Sequence, residues 1–268
     1  MLTVLKSKSF RNGVAYALRT EDGYPVETTD TFLPYYTKFC INNTNKLKSN
    51  DIGSREERWM IGVSIASGCP VGCKFCATGQ LPRYRPLKAH EIVEQVAFVV
   101  KQNGGRWDGS KWVRPVASKE FKIHYTRMGE IGMNPFEVRG AISEISEMYP
   151  DTHHYVSTIG IKGMDFSWIK GNITLQISLH SLDEARRADL IPFGNKMTIQ
   201  ELSRIRTQSD LKTTINLTLV SDEDWSIGEL RKHFDPEYFF IKISPINRNC
   251  IGDRNNMGTG LISAYNLV

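Results

Sequence analysis

Six apolar segments of the sequence alternate with segments whose apolar residues recur at helical spacing, and this alternation most constrains the fold. The strand-like segments are MIGVSI, FKIHYT, HHYVSTIG, ITLQISLH, TTINLTLV and YFFIKISPI. The helix-like segments between them are HEIVEQVAFVVKQ, MNPFEVRGAISEISEMY, SLDEARRADLI, MTIQELSRIRTQ and WSIGELRKHF. Strands that are apolar throughout and separated by helices are typical of a parallel sheet covered on both faces. The pattern predicts an α/β fold, a partial (βα)6 TIM-like barrel.

The sequence before this alternation has a different character. VAYALR and VETTDTFL are strand-like and flank the turn residues Glu21-Asp22-Gly23, which predicts a β-hairpin over residues 13–34. Residues 35–57 are polar and lack periodicity, so they are interpreted as a loop or insertion. We therefore expect an N-terminal β-hairpin and polar insertion over 1–58 and a barrel over 59–268.

Three cysteines lie in the glycine-containing loop that follows the first barrel strand. Cys69, Cys73 and Cys76 are spaced C-x3-C-x2-C. The loops after the strands form the active-site face of such barrels. Three thiolates at this spacing can bind three corners of a [4Fe–4S] cluster, which leaves the fourth iron open to another ligand. The motif predicts a cluster held by these three residues.

Two plainer interpretations of the cysteines are a zinc site and three unrelated buried thiols. A structural zinc site normally has four protein ligands, and the sequence places neither a second Cys-x2-Cys pair nor a histidine cluster nearby. His153 and His154 are adjacent, but they begin a strand and are expected at the surface. The spacing favours iron and sulfide over zinc.

The cysteine spacing resembles the signature of the radical S-adenosylmethionine (SAM) superfamily. Seven stretches resemble, in the same order, the ribosomal RNA adenine-C2 methyl synthases, the RlmN and Cfr branch of that superfamily. They are ALRTEDGYPVETTDTFLP, GVSIASGCPVGCKFCATG, PLKAHEIVEQV, RMGEIGMNPFEV, YVSTIG, LQISLHSLDEARRADLIPFGNKMTIQEL and IKISPINRN. The resemblance implies a radical SAM barrel preceded by a β-hairpin. It also implies that SAM binds the open iron, that a reductant such as flavodoxin or ferredoxin reduces the cluster, and that SAM is cleaved to a deoxyadenosyl radical.

The resemblance also assigns roles to individual side chains. The positions that match SAM contacts are Phe75, Gly129, Glu130, Ser157, Ser178, His180 and Asn247. Phe75 matches an aromatic residue near the adenine, and Gly129-Glu130 matches a pair that meets the amino group. Ser178 and His180 are two residues apart in one strand, so they are expected to point the same way, toward the ribose or carboxylate.

Five of these positions have a plainer alternative. Phe75 and His180 could be ordinary core residues, Glu130 a surface carboxylate, Ser157 a strand-end cap and Asn247 a turn residue. Glu27 matches a hairpin glutamate assigned as a base in the family. It is the catalytic candidate of the hairpin, although a single strand glutamate usually faces solvent.

The resemblance fails at the two further cysteines that the family uses. The cysteine seven residues before the cluster motif is replaced by Gly62, and the C-terminal segment with the methyl-carrying cysteine has no counterpart. The family's N-terminal RNA-binding domain has no counterpart either. Of the remaining thiols, Cys250 follows the last strand and is the candidate replacement carrier, with a small buried hydrophobe as the favoured alternative. Cys40 lies in the insertion. Either the relay is lost or the sequence is a piece of a longer protein.

Composition restricts the cellular location and the kinds of partner that the sequence predicts. No apolar run approaches the ~18 residues of a membrane span, and the N-terminal residues do not resemble a signal peptide, which predicts a cytoplasmic protein. Five cysteines, an odd count, argue against a disulfide framework. The net charge of +5 permits an RNA partner without requiring one. Basic residues that could line the barrel mouth are Lys74, Arg83, Arg85, Lys88, Arg127, Arg248 and Arg254. The sequence does not predict an oligomeric state.

Three functions remain open at this point. The first is a radical SAM methyltransferase that acts on RNA, which requires a basic rim. The second is a radical SAM enzyme on another substrate without the two-cysteine relay, which the missing thiols favour. The third is a non-catalytic iron–sulfur protein, against which the complete set of SAM-contact positions argues.

Overall fold

The computed structural model describes residues 1–35, 52–220, 226–246 and 249–257, which divide into two compact units. The first unit comprises Met1–Ile65, Pro86–Met128 and Asn134–His154. The second comprises Ala66–Arg85, Gly129–Met133 and the described part of Tyr155–Val268. The domain boundary at residue 58 stays a prediction, and most of the predicted insertion lies outside the described residues.

The first unit is built on a sheet with two helices. Its strands are β1 (Thr3–Phe10), β2 (Gly13–Arg19), β3 (Pro25–Leu33), β4 (Arg58–Val63), β5 (Glu120–Tyr125) and the start of β6 (Thr152–Thr158), adjacent in that order. Its helices are α1 (Ala89–Gln102) and α2 (Pro135–Met148), and two-residue strands occur at Arg106–Trp107 and Trp112–Val113. β1 to β4 pair antiparallel, whereas β4 and β5 pair parallel. The predicted hairpin is thus confirmed as β2 and β3, with β1 as an additional strand.

Helix α1 shows why the sequence folds this way. Its buried residues Ile92, Val96, Val99 and Val100 recur at spacings of three to four, which places them on one helix face. Each such buried aliphatic side chain contributes roughly 1.5–3 kcal/mol. Gln95 lies on the same buried side, where its Oε1 accepts from the Thr28 hydroxyl at 2.7 Å. A buried amide is stable only when it is hydrogen-bonded in this way.

The second unit contains parallel strands and short helices. It contains the end of β6, then β7 (Ile173–Ser178), β8 (Thr213–Leu219) and β9 (Phe239–Pro245), adjacent in that order. Its helices are α3 (Glu184–Leu190), α4 (Ile199–Ser203), α5 (Ile227–His233) and α6 (Cys250–Arg254), with short 3-10 helices at Ala77–Gln80 and Ile131–Met133 and a two-residue pair of strands at Lys170–Gly171 and Gln208–Ser209. β7, β8 and β9 pair parallel, which confirms the α/β class.

His154 corrects one expectation from the sequence. It was expected at the surface, yet it is fully buried in the first unit. Its Nδ1 lies 3.0 Å from the hydroxyl of Tyr125, and its Nε2 lies 2.9 Å from the hydroxyl of Ser146. Burial lowers the pKa of His154 to about 4, so the ring is neutral at pH 7. Strand alternation places this side chain inward, because only one of two adjacent strand residues can face the solvent.

None of the helices in the described ranges is both long enough and apolar enough to cross a membrane. The cytoplasmic location stays a prediction.

Candidate functional site

The cysteine loop of the second unit is shaped by its glycines. Gly68 and Gly72 have φ of 74° and 70°, a left-handed conformation that strains other residues. A Cβ at Gly68 would lie 2.4 Å from the backbone oxygen of Arg83, and one at Gly79 would lie 3.0 Å from Cα of Gly72. The amide of Cys76 donates to the carbonyl of Cys73 at 3.0 Å. The loop is therefore folded back on itself.

The three thiols of this loop are free, half-buried and electrostatically coupled. Burial raises the pKa of Cys69 to about 11, and the neighbouring Glu130 and Cys76 raise it as well. Burial raises the pKa of Cys73 further, with added effects of Cys76, Cys69 and Glu130. Without metal these two thiols are protonated at neutral pH, and metal binding would displace the protons.

A single metal ion has no ready site here. In the described part of the chain, no three His, Cys, Asp or Glu side chains are gathered around one metal position. In a cubane cluster each thiolate binds a different iron, so the donors need not converge on one point. Three coupled thiols on one glycine-shaped loop fit such a cluster in the chemistry of the donor set.

Two asparagines that the sequence analysis missed hold the loop from outside. The Nδ2 of Asn249 donates to the carbonyl of Phe75 at 3.0 Å, and the Nδ2 of Asn255 donates to that of Lys74 at 2.5 Å. The amide of Lys74 donates to the carbonyl of Leu190 at 3.0 Å. Asn249 is also the N-cap of α6, and this position before a short helix was the only signal for it.

Glu130 is a buried carboxylate close to the thiols, not the surface residue that was the plainer alternative. Gly129 precedes it with a φ of 104°. Glu130 is 4% exposed and accepts hydrogen bonds from the Thr158 hydroxyl, the Ile159 amide at 3.0 Å and the Gly132 amide at 3.1 Å. Burial raises the pKa of Glu130, while these three hydrogen bonds lower it. No Lys, Arg or His in the described ranges pairs with it, so the site suits a cationic ligand group.

Ser157 and Ser178 lie side by side on the neighbouring strands β6 and β7. Their hydroxyl oxygens are 3.4 Å apart. Both side chains remain half-buried and keep further hydrogen-bonding capacity. The structure thus brings together two of the predicted SAM-contact hydroxyls.

The orientation of His180 differs from the one that the sequence predicts. Strand alternation was expected to align it with Ser178, but β7 ends at Ser178 and His180 has a φ of 65°. Its Nδ1 accepts from the amide of Thr218 at 3.1 Å, and burial lowers its pKa to about 3, so the ring is neutral with its proton on Nε2. Its ring packs edge-on against Phe75, with centroids 4.9 Å apart. Phe75 is partly buried against an apolar cluster that includes Ile159, Leu190 and Ile191.

Two other positions from the sequence analysis lie outside the described residues. The structure also corrects the expectation that Cys250 is buried. Asn247 and Cys40 belong to ranges that the structure does not describe. Cys250 is the exposed first residue of α6, so the alternative of a small buried hydrophobe was wrong. Its role as a methyl carrier stays a prediction.

Glu27 and Gly62 belong to the first unit and share one neighbour, Arg127. The Glu27 carboxylate accepts from both Nε of Arg127, at 2.7 Å, and Nη2. A Cβ at Gly62 would lie 2.5 Å from the Thr29 hydroxyl oxygen and 2.8 Å from Cδ of Arg127. The side chains of Thr29 and Arg127 therefore lie directly against Gly62, and the candidate base is held in an ion pair.

Three of the seven basic residues that were predicted to line the barrel mouth are paired with acidic side chains. Lys74, Lys88 and Arg127 form ion pairs with acidic side chains, those of Asp189, Glu137 and Glu27 respectively. Arg83 and Arg254 are exposed, Arg85 is half-buried, and Arg248 lies outside the described ranges.

Known proteins resemble the chain in sequence and in fold, although no family model matches it. It is 31% identical over 198 residues to a probable dual-specificity RNA methyltransferase RlmN of Pseudothermotoga lettingae, covering 69% of this chain and 54% of the relative. It is 28% identical over 244 residues to a protein of the same name from Chlorobium phaeobacteroides, covering 84% of this chain and 64% of the relative.

A crystal structure of a radical SAM methyltransferase from Sphaerobacter thermophilus matches the fold with a TM-score of 0.64 at 20% identity, over 92% of this chain and 67% of that protein. In sequence the chain is thus similar to proteins named dual-specificity RNA methyltransferase RlmN. The predicted radical SAM barrel is thereby confirmed as the fold. The chain spans about half the length of the first of these relatives. The activity, substrates and partners of the full-length relatives are therefore proposals for this chain.

Proposed function

We propose that this chain is a radical SAM enzyme that holds a [4Fe–4S] cluster on Cys69, Cys73 and Cys76 and binds SAM beside it. The observation that carries the proposal is Glu130, a buried carboxylate without a cationic partner in the described residues, which acts electrostatically on Cys69 and Cys73. When bound, the reduced cluster supplies the electron for cleavage of SAM. A low-potential electron carrier, such as a flavodoxin or ferredoxin, is the proposed donor.

The surrounding side chains bind and orient SAM in this proposal. The Glu130 carboxylate accepts hydrogen bonds from the SAM ammonium group, which compensates its buried charge. Ser157 and Ser178 offer hydroxyl groups to the ribose or carboxylate. Phe75 packs against the adenine, and the neutral His180 ring holds Phe75 in place through their edge-on contact.

RNA is the proposed substrate class, since the relatives are named RNA methyltransferases. The exposed Arg83 and Arg254 support it as cations available for phosphate contacts. Cys250, which is exposed on α6, is the proposed methyl carrier, and Glu27 is the proposed base once Arg127 releases it.

A second function is favoured by the surroundings of Gly62. A relay through two protein thiols needs a second cysteine to attack the adduct. Residue 62 is a glycine packed against the side chains of Arg127 and Thr29, so this position supplies no such thiol. This supports radical SAM chemistry on a substrate that needs no two-cysteine relay.

An assay with methyl-labelled SAM separates these functions. The anaerobically reconstituted protein is incubated with reductant, labelled SAM and ribosomal RNA or tRNA, with Cys250→Ser as the matched variant. Label on the RNA that is lost in Cys250→Ser supports methyl transfer through Cys250. 5′-Deoxyadenosine without labelled RNA supports the second function. A bound cluster that never cleaves SAM would favour a non-catalytic iron–sulfur protein and refute both.

A further inference from the structure

Arg187 is a fully buried cation. No carboxylate of the described residues forms an ion pair with it, although Glu184 on the same helix acts on it electrostatically. The residue is 0% exposed, on α3 in the second unit. Its Nη1 donates to the carbonyl of Met197 at 2.6 Å, and its Nη2 donates to the carbonyl of Ile159 at 2.7 Å. Its Nε is buried and has no hydrogen-bond partner within the described ranges. A buried charge of this kind is costly unless an anion compensates it.

Helix α3 also packs against the cysteine loop. Leu190, three residues after Arg187 on the same helix face, accepts a hydrogen bond from the Lys74 amide. Leu190 and Ile191 also belong to the apolar cluster against which Cys69 and Cys73 pack. Burial lowers the pKa of Arg187, while the negative charges of Glu184 and of the Cys73 thiolate raise it.

Arg187 also helps to hold the backbone around Glu130. The amide of Ile159 donates to Glu130, while the carbonyl of Ile159 accepts from Arg187. The carbonyl of Met197 accepts from Arg187 as well, and the amide of Met197 donates to the carbonyl of Gly160 at 2.7 Å. Both Nη groups donate to backbone carbonyls, but an uncharged donor could make the same two hydrogen bonds. They leave the Nε group without a hydrogen bond, and Glu184, which is exposed to solvent, offsets the buried charge weakly.

We propose that Arg187 supplies the fixed positive charge that offsets the thiolate-bound cluster and makes its one-electron reduction more favourable. The proposal rests on the proposed function, because it needs the cluster. Uptake of one electron from the reductant makes the cluster and its three thiolates more negative by one charge. A fixed cation in a poorly solvated interior stabilises the more negative state, and net charge nearby is one of the factors that set cluster potentials. Arg187 is thus a positioning and tuning residue.

The test compares variants that separate the charge from the hydrogen bonds. Arg187→Gln and Arg187→Met remove the charge, whereas Arg187→Lys keeps the charge and loses the two-pronged donor. Arg186→Gln is the matched control, because it removes the same charge from the neighbouring, half-exposed residue that pairs with Asp189. Each protein is reconstituted anaerobically, its iron content and thermal unfolding are measured, and its cluster is titrated with dithionite while the reduced state is followed by electron paramagnetic resonance.

We expect reduction of the Arg187→Gln and Arg187→Met clusters to be at least about tenfold less favourable, since a unit charge in a protein interior is worth about that much. For a one-electron couple this is a shift of ~59 mV toward more negative potential. Arg187→Lys and Arg186→Gln should stay close to the wild type. Equal potentials in the neutral variants and the wild type would overturn the proposal. An equal shift in Arg187→Lys, measured at a pH that keeps the lysine protonated, would also overturn it, because it would show that the two hydrogen bonds to carbonyls matter and the charge does not.

Two further outcomes are also decisive. If neither neutral variant folds, Arg187→Lys decides the matter, because a buried lysine can lose its proton as the pH rises. Its cluster potential should then fall with rising pH while that of the wild type does not, and parallel behaviour would overturn the proposal. If the wild type itself binds no cluster, the proposed function fails, and this failure is distinguishable from an unshifted potential in a loaded protein.

Discussion

Gly62 offers the sharpest test of how the first unit is packed. In Gly62→Ala the added Cβ would lie 2.5 Å from the Thr29 hydroxyl oxygen and 2.8 Å from Cδ of Arg127. Both distances are too short, so at least one side chain must move. The φ angle of Gly62 is not positive, and backbone strain therefore adds nothing to the cost.

The size of the effect follows from these two contacts. Overpacking of this kind costs about 1–3 kcal/mol, and the loss of glycine's freedom in the unfolded chain returns about 0.4–1 kcal/mol. We expect a net loss of about 1–2 kcal/mol in the free energy of unfolding. Arg127→Ala alone should cost no more than ~1 kcal/mol, since its ion pair with Glu27 is partly exposed. Gly62→Ala with Arg127→Ala should be more stable than the sum of the single changes by about 1 kcal/mol.

Urea denaturation of the four proteins provides the double-mutant cycle. Gly194→Ala is the control, because it adds the same methyl group where nothing lies within 4 Å. Its stability should stay within about 0.5 kcal/mol of the wild type. If Gly62→Ala is as stable as the Gly194→Ala control, or if the coupling with Arg127→Ala is zero, the space at position 62 is not filled as described.

Three other predictions follow from the buried groups. Glu130→Gln keeps the shape but removes the charge of the SAM-ammonium partner, so the affinity of the cluster-loaded protein for SAM should fall at least about tenfold in equilibrium dialysis; unchanged affinity would exclude Glu130 as that partner. Gly68→Ala forces a left-handed alanine against the backbone oxygen of Arg83, so iron content after reconstitution should fall well below that of Gly194→Ala, and full loading would contradict the loop geometry. The pKa of His154 is lowered to about 4 from ~6.5 in the unfolded chain, so its stabilisation is present above pH ~6.5 and is lost as the pH falls toward 4. Between pH 7 and pH 5 the wild type should therefore lose about 2 kcal/mol more than His154→Gln, and equal pH dependences would show that the ring is not held neutral.

The alternation of strands and helices was predictable because its signal is local. Each barrel strand is an apolar run, and each helix carries apolar residues at spacings of three and four, so bounds differ from the prediction by a few residues. Strand β1 was missed because all eight of its residues are exposed, and its sequence TVLKSKSF therefore shows no buried face. Helix α6 was missed because five residues are too few to show a period.

In the candidate site, too, features contained in short stretches were predictable, whereas contacts between distant residues were not. The cysteine spacing and the Gly129-Glu130 pair are contained in short stretches, and a resemblance can transfer them. The contact of Gly62 with Arg127 and those of Arg187 with Ile159 and Met197 join distant parts of the chain, which no local pattern reveals. For His180, alternation failed because the strand ends before it and the backbone turns left-handed.

The central claim is that this chain cleaves SAM at a cluster bound by its three loop cysteines. The direct measurement is anaerobic reconstitution with iron and sulfide, reduction with dithionite, addition of SAM, and quantification of 5′-deoxyadenosine and methionine, with Cys73→Ala in parallel. The account predicts both products from the wild type and neither from the variant. Absence of both products and of cluster absorbance in the wild type would contradict it, as would equal product formation by Cys73→Ala.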